Sequence, residues 1–396
     1  LESTWINTSN NHGNTYIGHG AAKLKALLKK SVLAKDICVL VIYLIVVDGS
    51  FGEGGGQILR IAIGLSAALG KPVKIFNIRA RRSNPGLQHQ HLTGVKAVAE
   101  ICSADVEGGY IGSTQLVFRP RNVRGGFYRF DVGTAGSIAL VLQTLTPVLP
   151  FLDRDTVIEV RGGTDVPWSP PIDYIRYVFK PIAEMFGLYI DVDVVRRGHY
   201  PRGGGIARFY IKPSKKLNSV ELIDRGSIHR IGGRSHCVKL PSHVAERQAN
   251  AARETLSNLD IPIDIEIEFY EPSKDPHLGP GSGIVLYAET EKSIIGADAL
   301  GEKGKPAEKV GREAAEKLLN EIKSGAALDS HMGDMVIALA CLAKGTTRYT
   351  TSKITTHIET ALKIAETVAG CKSKTTKLKD KGILIEIEGI GNSAFI

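Results

Sequence analysis

A strand, a glycine-bearing turn and an apolar helix follow one another repeatedly along this chain. The first copy reads VLVIYLIVVD, then GSFGEGGGQ, then ILRIAIGLSAALG, with the helix stopping at Gly70 before Lys71-Pro72. The second reads YRFDV, GTAG and SIALVLQTLTPVL, and a third begins with HMGD leading into MVIALACLAKG. Each copy continues into a further helix and strands: VKIFNIRA and the helix from Gln90 to Cys102 in the first, TVIEVRGG and IDYIRYVFKPIAEMFG in the second, KITTHIETALKIAETVAG and GILIEIEG in the third. A repeated unit has to bury its apolar helices against its own sheet and its neighbours. The pattern therefore restricts the chain to α/β sandwich repeats of βαβαββ type, with sheets on one side and helices on the other.

One repeat length separates Gly52 from Gly133, but far more separates Gly133 from Gly333. The excess predicts an inserted, smaller α/β domain over 220–295. The main domain then occupies 44–219 and 296–396. Residues 1–43, rich in Asn, Thr, Gly and Lys near their start, read as an extension outside the repeats. The apolar run Ile37–Val47 is too short to span a bilayer as a helix and is rich in β-branched residues, so it reads as a strand. Lys23, Lys25, Lys29 and Lys30 precede it without a signal-peptide layout, which predicts a cytoplasmic protein. Five cysteines have neither metal-knuckle nor redox spacing and read as reduced, mostly buried thiols. A net charge of +9 permits a polyanionic partner without selecting one.

Three places carry chemistry. GEGGGQ at 52–57 joins a strand to a helix, where free N–H groups can cradle phosphate. Glu53 would sit there as a hard oxygen ligand for a divalent ion. The motif is neither a P-loop nor a dinucleotide fingerprint, and a tight packing turn is an equal reading. Arg79, Arg81 and Arg82 follow a strand end, near the Gln88-His89-Gln90-His91 run, and Arg60 lies one turn into the first helix. They form either a phosphate-binding surface or a solvated basic loop. His357 falls on the apolar stripe of its helix, with Thr355 and Thr356 as candidate caps. It is either a satisfied core histidine or a nucleophile projecting from the first turn into a cleft. Asp334 contacts a ligand or caps its own helix; His331 is equally open. Asp165 reads as an exposed turn residue. No GxSxG elbow, HExxH or KxDG motif competes.

Together, VVDGSFGEGGGQILR, IRARRSNPGLQHQHLTGVKA, FRPRNVRGGFYRFDVGTAGS, EVRGGTDVPWSPPIDY and RRGHYPRGGG resemble the RNA 3′-terminal phosphate cyclase family, over roughly 44–396. The resemblance implies three α/β repeats with one insert. It implies ATP-dependent conversion of an RNA 3′-terminal phosphate to a 2′,3′-cyclic phosphate, through a histidine–AMP adduct and an RNA adenylate. His357 in THIETALKIAE matches the nucleophile. Glu53 would bind Mg²⁺ or Mn²⁺. Arg60, Arg79, Arg82 and Gln90 match residues near the phosphates, and Gln143 one that contacts the nucleotide. His331, Met332, Gly333, Asp334 and Met335 correspond to a late nucleotide-binding segment. Bacterial members carry Tyr and Gln at its ends, where this chain has His331 and Met335, which leaves the nucleotide preference and adenine contacts open. Non-catalytic relatives of the family lose the histidine, which this chain keeps.

Overall fold

The computed structural model describes residues 44–391. The expected extension over 1–43, and most of the apolar run from Ile37, lie outside the described residues. Among the described residues, no helix is long and apolar enough to cross a membrane.

The first repeat is a four-stranded sheet. β1 (Ile45–Asp48) pairs in parallel with β2 (Val73–Phe76) through the crossover helix α1 (Gly56–Leu69). Helix α2 (His89–Ile101) then leads to β3 (Asp105–Glu107) and β4 (Leu116–Arg119), both antiparallel additions, giving the order β1-β2-β4-β3. The second repeat has the same order, β5-β6-β8-β7. Its strands are β5 (Phe127–Asp131), β6 (Thr156–Gly162), β7 (Tyr189–Arg196) and β8 (Gly205–Lys212). Helix α3 (Ile138–Leu145) makes its crossover. Helix α4 (Ile172–Tyr174) runs through a π turn into α5 (Lys180–Phe186) before β7. Residues along β7 and β8 alternate between buried and more exposed, so these strands keep one face in the core.

The third repeat starts earlier than its HMGD turn suggests. Its first strand is the two-residue β9 (Glu221–Leu222). A fourth layer follows at once: β10 (Ile228–Val238), α6 (His243–Leu256), β11 (Ile263–Glu268), β12 (Gly281–Thr290), β13 (Ile294–Leu300) and α7 (Ala307–Lys323). This layer has its own apolar core, from Ile231 to Leu318. It therefore runs past residue 295 to the end of α7. The third repeat then resumes with α8 (Met332–Met335), α9 (Ile337–Leu342), β14 (Lys344–Thr351), α10 (Thr356–Ala369), β15 (Lys372–Lys377) and β16 (Ile383–Ile390). Its order, β9-β14-β16-β15, repeats the pattern of the other two. All four sheets are mixed, each with helices packed on it, so the chain is an α/β protein of three like repeats and one further layer.

Helices of different repeats meet: α10 packs on α1, and α3 packs on both α1 and α2. Close approach demands small residues. A Cβ on Gly64 in α1 would sit 2.7 Å from Pro147 Cγ, and one on Gly52 would sit 2.4 Å from Thr360 Oγ1 in α10.

Two expectations are corrected. Cys341 and Cys371 are joined in a disulfide, with Cα atoms 5.5 Å apart, rather than being separate thiols. One lies in the last helical turn before β14, the other just after the Gly370 cap of α10, and packing α9 on α10 brings them together. Cys102 and Cys237 are free and buried. Asp165, expected to be exposed, is buried. It lies in a seam between the second repeat and the fourth layer. There the buried Arg197 guanidinium reaches Asp165 (3.2 Å), Asp173 (2.6 Å) and Glu268 (2.8 Å).

Candidate active site

His357 occupies the first turn of α10, just beyond the cap. Thr355 Oγ1 accepts a hydrogen bond from the Ile358 N–H at 3.1 Å. The helix buries Ile358, Ala361, Leu362, Ala365 and Val368, which fixes its rotation. The imidazole lies near that apolar stripe, but the first turn overhangs the core edge, leaving the side chain 49% exposed. His357 is therefore not a core histidine.

Two carboxylates flank the ring. Its Nε2 is 3.5 Å from Glu53 Oε2 in the glycine turn, and its Nδ1 is 3.8 Å from Asp334 Oδ2 in α8. Gln57, on the first turn of α1, donates from Nε2 to the same Asp334 oxygen at 2.6 Å. Burial pushes the Asp334 carboxyl up to about 6, against the opposing pull of His357, His331 and Arg60. Residues of all three repeats meet around one cleft. Gln57, Arg60, Gln143, Thr146, Asp334 and Met335 line it together with the apolar Ile61, Pro147, Phe179 and Ala338. Desolvation lowers the Arg60 guanidinium to about 10, with Asp334 acting to raise it.

The glycine turn earns its composition. Gly52 and Gly54 have φ of 56° and 58°, values that suit residues without a Cβ. A Cβ on Gly56 would lie 2.1 Å from His91 Nε2. Gly55, at the N-cap of α1, provides no side-chain hydrogen bond, so no side chain at the cap occupies the N–H groups of the first turn. His91 is driven down to about 3 by burial, then by Arg60 and Arg79.

The remaining expected residues divide. Arg82 pairs with Glu53 at 2.9 Å, and Arg81 donates to the Gly52 carbonyl at 2.9 Å. Arg79 turns inward: it has φ 54° and donates to the carbonyls of Asn84 and Gly86, closing its own loop. Gln90 Oε1 accepts from Ser137 N at 2.9 Å, linking α2 to the second repeat's glycine turn. In the late segment, Met332 is buried in the core, and the Gly333 carbonyl accepts from Tyr349 Oη at 2.7 Å. His331 is exposed and sets its ring edge-on to Tyr174 at 6.4 Å. Sequence reasoning missed the roles of Gln57 and Asp329. Asp329 is buried and accepts from Tyr174 Oη, the backbone N–H groups of His331 and Met332, and Gly296 N, so it holds α8 in place.

Residues 51–375 match the family model described as RNA 3′-terminal phosphate cyclase. The chain belongs to that family. The RNA 3′-terminal phosphate cyclase of Hyperthermus butylicus is 53% identical over 86% of this chain and 98% of its own. Those of Pyrobaculum neutrophilum and Methanopyrus kandleri are 51% and 53% identical, over 87% and 82% of this chain and 98% and 92% of theirs. Among solved structures, an EPSP synthase from Acinetobacter baumannii aligns over 88% of this chain and 82% of its own. At a TM-score of 0.27 and 11% identity, it carries no argument. The cleft thus lies within the part of the chain that matches the cyclase family.

Proposed function

We propose that this chain uses ATP to convert an RNA 3′-terminal phosphate into a 2′,3′-cyclic phosphate, with His357 carrying AMP between the two substrates. The observation that carries the reading is a half-exposed imidazole flanked by two carboxylates, one of which, Asp334, lines a cleft with Arg60, Gln57 and Gln143. Membership of the cyclase family supports the reaction class.

Each ring nitrogen faces a carboxylate, but Arg82 pairs with Glu53, so Glu53 competes less than Asp334 for the ring proton. Asp334 faces Nδ1, favouring the tautomer with its proton there, and Gln57 anchors the carboxylate. Nε2, turned toward the glycine turn, then holds the lone pair. Nε2 attacks the α-phosphorus of ATP, the bond to the bridging oxygen breaks, and diphosphate leaves. An oxygen of the RNA 3′-phosphate next displaces the imidazole from phosphorus, leaving an RNA adenylate and a free His357. The neighbouring 2′-hydroxyl then attacks the activated phosphate, loses its proton and expels AMP. Because nucleophile and target share one ribose, positioning supplies most of what this step requires.

Arg60 is the guanidinium available to phosphate within the cleft, and Arg82 stands beside Glu53 at its edge. Arg79 and Gln90 act through the loop and the turn they hold. Glu53 fits a divalent ion: it is an exposed carboxylate whose Oε1 receives no hydrogen bond among the described residues. Such an ion, Mg²⁺ or Mn²⁺, would offset charge on the phosphates. The late segment, from His331 to Met335, would hold the nucleotide through Asp334 and Met335, which face the cleft.

Incubation with α-labelled ATP and Mg²⁺ or Mn²⁺ tests the reading. An acid-labile, alkali-stable AMP adduct is expected, absent in His357→Ala. Equal labelling of that variant would remove the nucleophile assignment. Loss of both adduct and cyclisation in the unmutated chain would leave a non-catalytic RNA-binding protein.

A further inference from the structure

Two imidazoles and one carboxylate converge where the second repeat abuts the fourth layer, among residues unconnected with the cleft. Asp165 follows β6, His199 lies between β7 and β8, and His236 is on β10. The two histidine Nε2 atoms are 3.0 Å apart, and His236 Nε2 is 4.0 Å from Asp165 Oδ2. One donor atom from each residue lies within 4.8 Å of the others, and all three residues are buried. We propose that Asp165, His199 and His236 bind a transition-metal ion of the zinc class, which fastens the layer from β10 to α7 onto the second repeat.

The backbone is shaped to deliver these groups. Asp165 and His199 form a β-bridge, and Gly198 O accepts from both Thr164 N and Asp165 N. Gly281, at the start of β12, admits the His199 ring; a Cβ there would sit 2.0 Å from its Cγ. The two rings are then aimed nitrogen to nitrogen. Neither Nδ1 has a hydrogen-bond partner among the described residues, so the Nε2 contact is the only hydrogen-bond-range interaction orienting either side chain. A direct hydrogen bond would use one proton and one lone pair for that purpose. A metal ion would use both Nε2 lone pairs and recruit the nearby carboxylate.

Charge favours the ion. Around the seam, Arg197 faces three carboxylates, those of Asp165, Asp173 and Glu268. Arg234 adds a second positive charge but brings Glu266 with it. Glu266 is largely exposed, so within the seam three carboxylates meet two guanidiniums, and a buried excess of negative charge is costly without a counter-ion. Both rings are buried, and the neutral imidazole is the form that binds metal. Two imidazoles and a carboxylate suit zinc in donor type. Bonds of about 2.0–2.1 Å at a tetrahedral ion hold ligand atoms roughly 3.3 Å apart, near the observed Nε2 separation. The Asp165 carboxylate, bonded by Thr164 Oγ1 at 2.6 Å and Arg197 at 3.2 Å, would share its Oδ2 with the ion. The burial of all three donors marks a structural ion, distinct from one at Glu53 that would meet substrate.

The test uses the full chain, loaded with Zn²⁺ and dialysed into metal-free buffer. One equivalent per chain is expected by elemental analysis, with X-ray absorption showing two imidazoles and oxygen. Substitution by Co²⁺ should give an intense visible spectrum of tetrahedral type. The His199→Gln and His236→Gln chains should lose the retained zinc, whereas Glu53→Gln should keep it. Continued formation of the AMP adduct by the histidine variants would show that they are folded and keep this test separate from the proposed reaction. An unmutated chain that retains no zinc, a shell without two imidazoles, or full retention in folded His199→Gln and His236→Gln overturns the proposal. The absorption measurement needs no variant, so misfolding of either mutant leaves the test intact.

Discussion

Asp334 faces opposing demands. The proposed reaction uses its carboxylate as an anion against His357 Nδ1, yet burial raises its pKa from the ordinary 3.8 to about 6. A carboxyl raised on folding contributes stability that is fully present below its unfolded value and lost as pH rises through its folded value. Asp334→Asn should therefore match the unmutated protein in acid and exceed its stability above about pH 6, by on the order of 2 kcal/mol, in urea titrations across that range. Adduct formation should move the other way. In the unmutated chain it should rise as pH passes about 6, and in Asp334→Asn it should stay low across the interval. Single-turnover labelling at a series of pH values measures this. At this scale the sequence was legible where motifs were dense: Glu53, Arg60, Gln143, Asp334 and His357 are brought to one cleft or beside it. It was poorly legible where a role depends on a partner distant in sequence. Gln57 gains its meaning from Asp334, and Asp165 is buried because Arg197 comes to meet it.

Helix α10 carries its catalytic candidate in its least supported turn. The Thr355 hydroxyl satisfies the Ile358 N–H, so Thr355→Ala should cost about 1 kcal/mol and loosen the turn bearing His357. The expected signature is a fall in the rate of AMP labelling greater than the loss of thermal stability implies, with Thr355→Ser restoring both. The same helix shows why periodicity predicted the element well. Its apolar stripe and its Gly370 stop are local signals. Strand β15, KSKTTK, gave no such signal, because it is a mostly exposed edge strand whose burial hardly alternates. Strand β9 is shorter still, and two residues cannot display a period. The repeat boundary read from the glycine turns consequently fell after the fourth layer, although the third sheet already begins before it.

At the scale of the whole molecule, two fastenings invite measurement. Arg197→Met would strand three buried or partly buried carboxylates in the seam, and should cost about 3–5 kcal/mol in denaturant unfolding. Cys341→Ser removes a closed loop spanning 30 residues and should cost about 3 kcal/mol, with a matching shift in the unmutated chain only after a reductant is added. Calorimetry with and without reductant separates the two states. The bridge was invisible to spacing rules because its partners meet through the packing of α9 on α10. The split third repeat has a further consequence, for biosynthesis. Strand β9 pairs with β14, whose residues follow more than a hundred positions later, and β16 stands between β14 and β15 in that sheet. A chain emerging from the ribosome can finish its first two sheets early, but the third must wait for its last strand. Glu53 belongs to the first repeat and His357 to the third, so a nascent chain stalled before β14 has the glycine turn but not the imidazole that faces it. On the proposed mechanism, capacity to accept AMP then reports that synthesis has reached the final repeat.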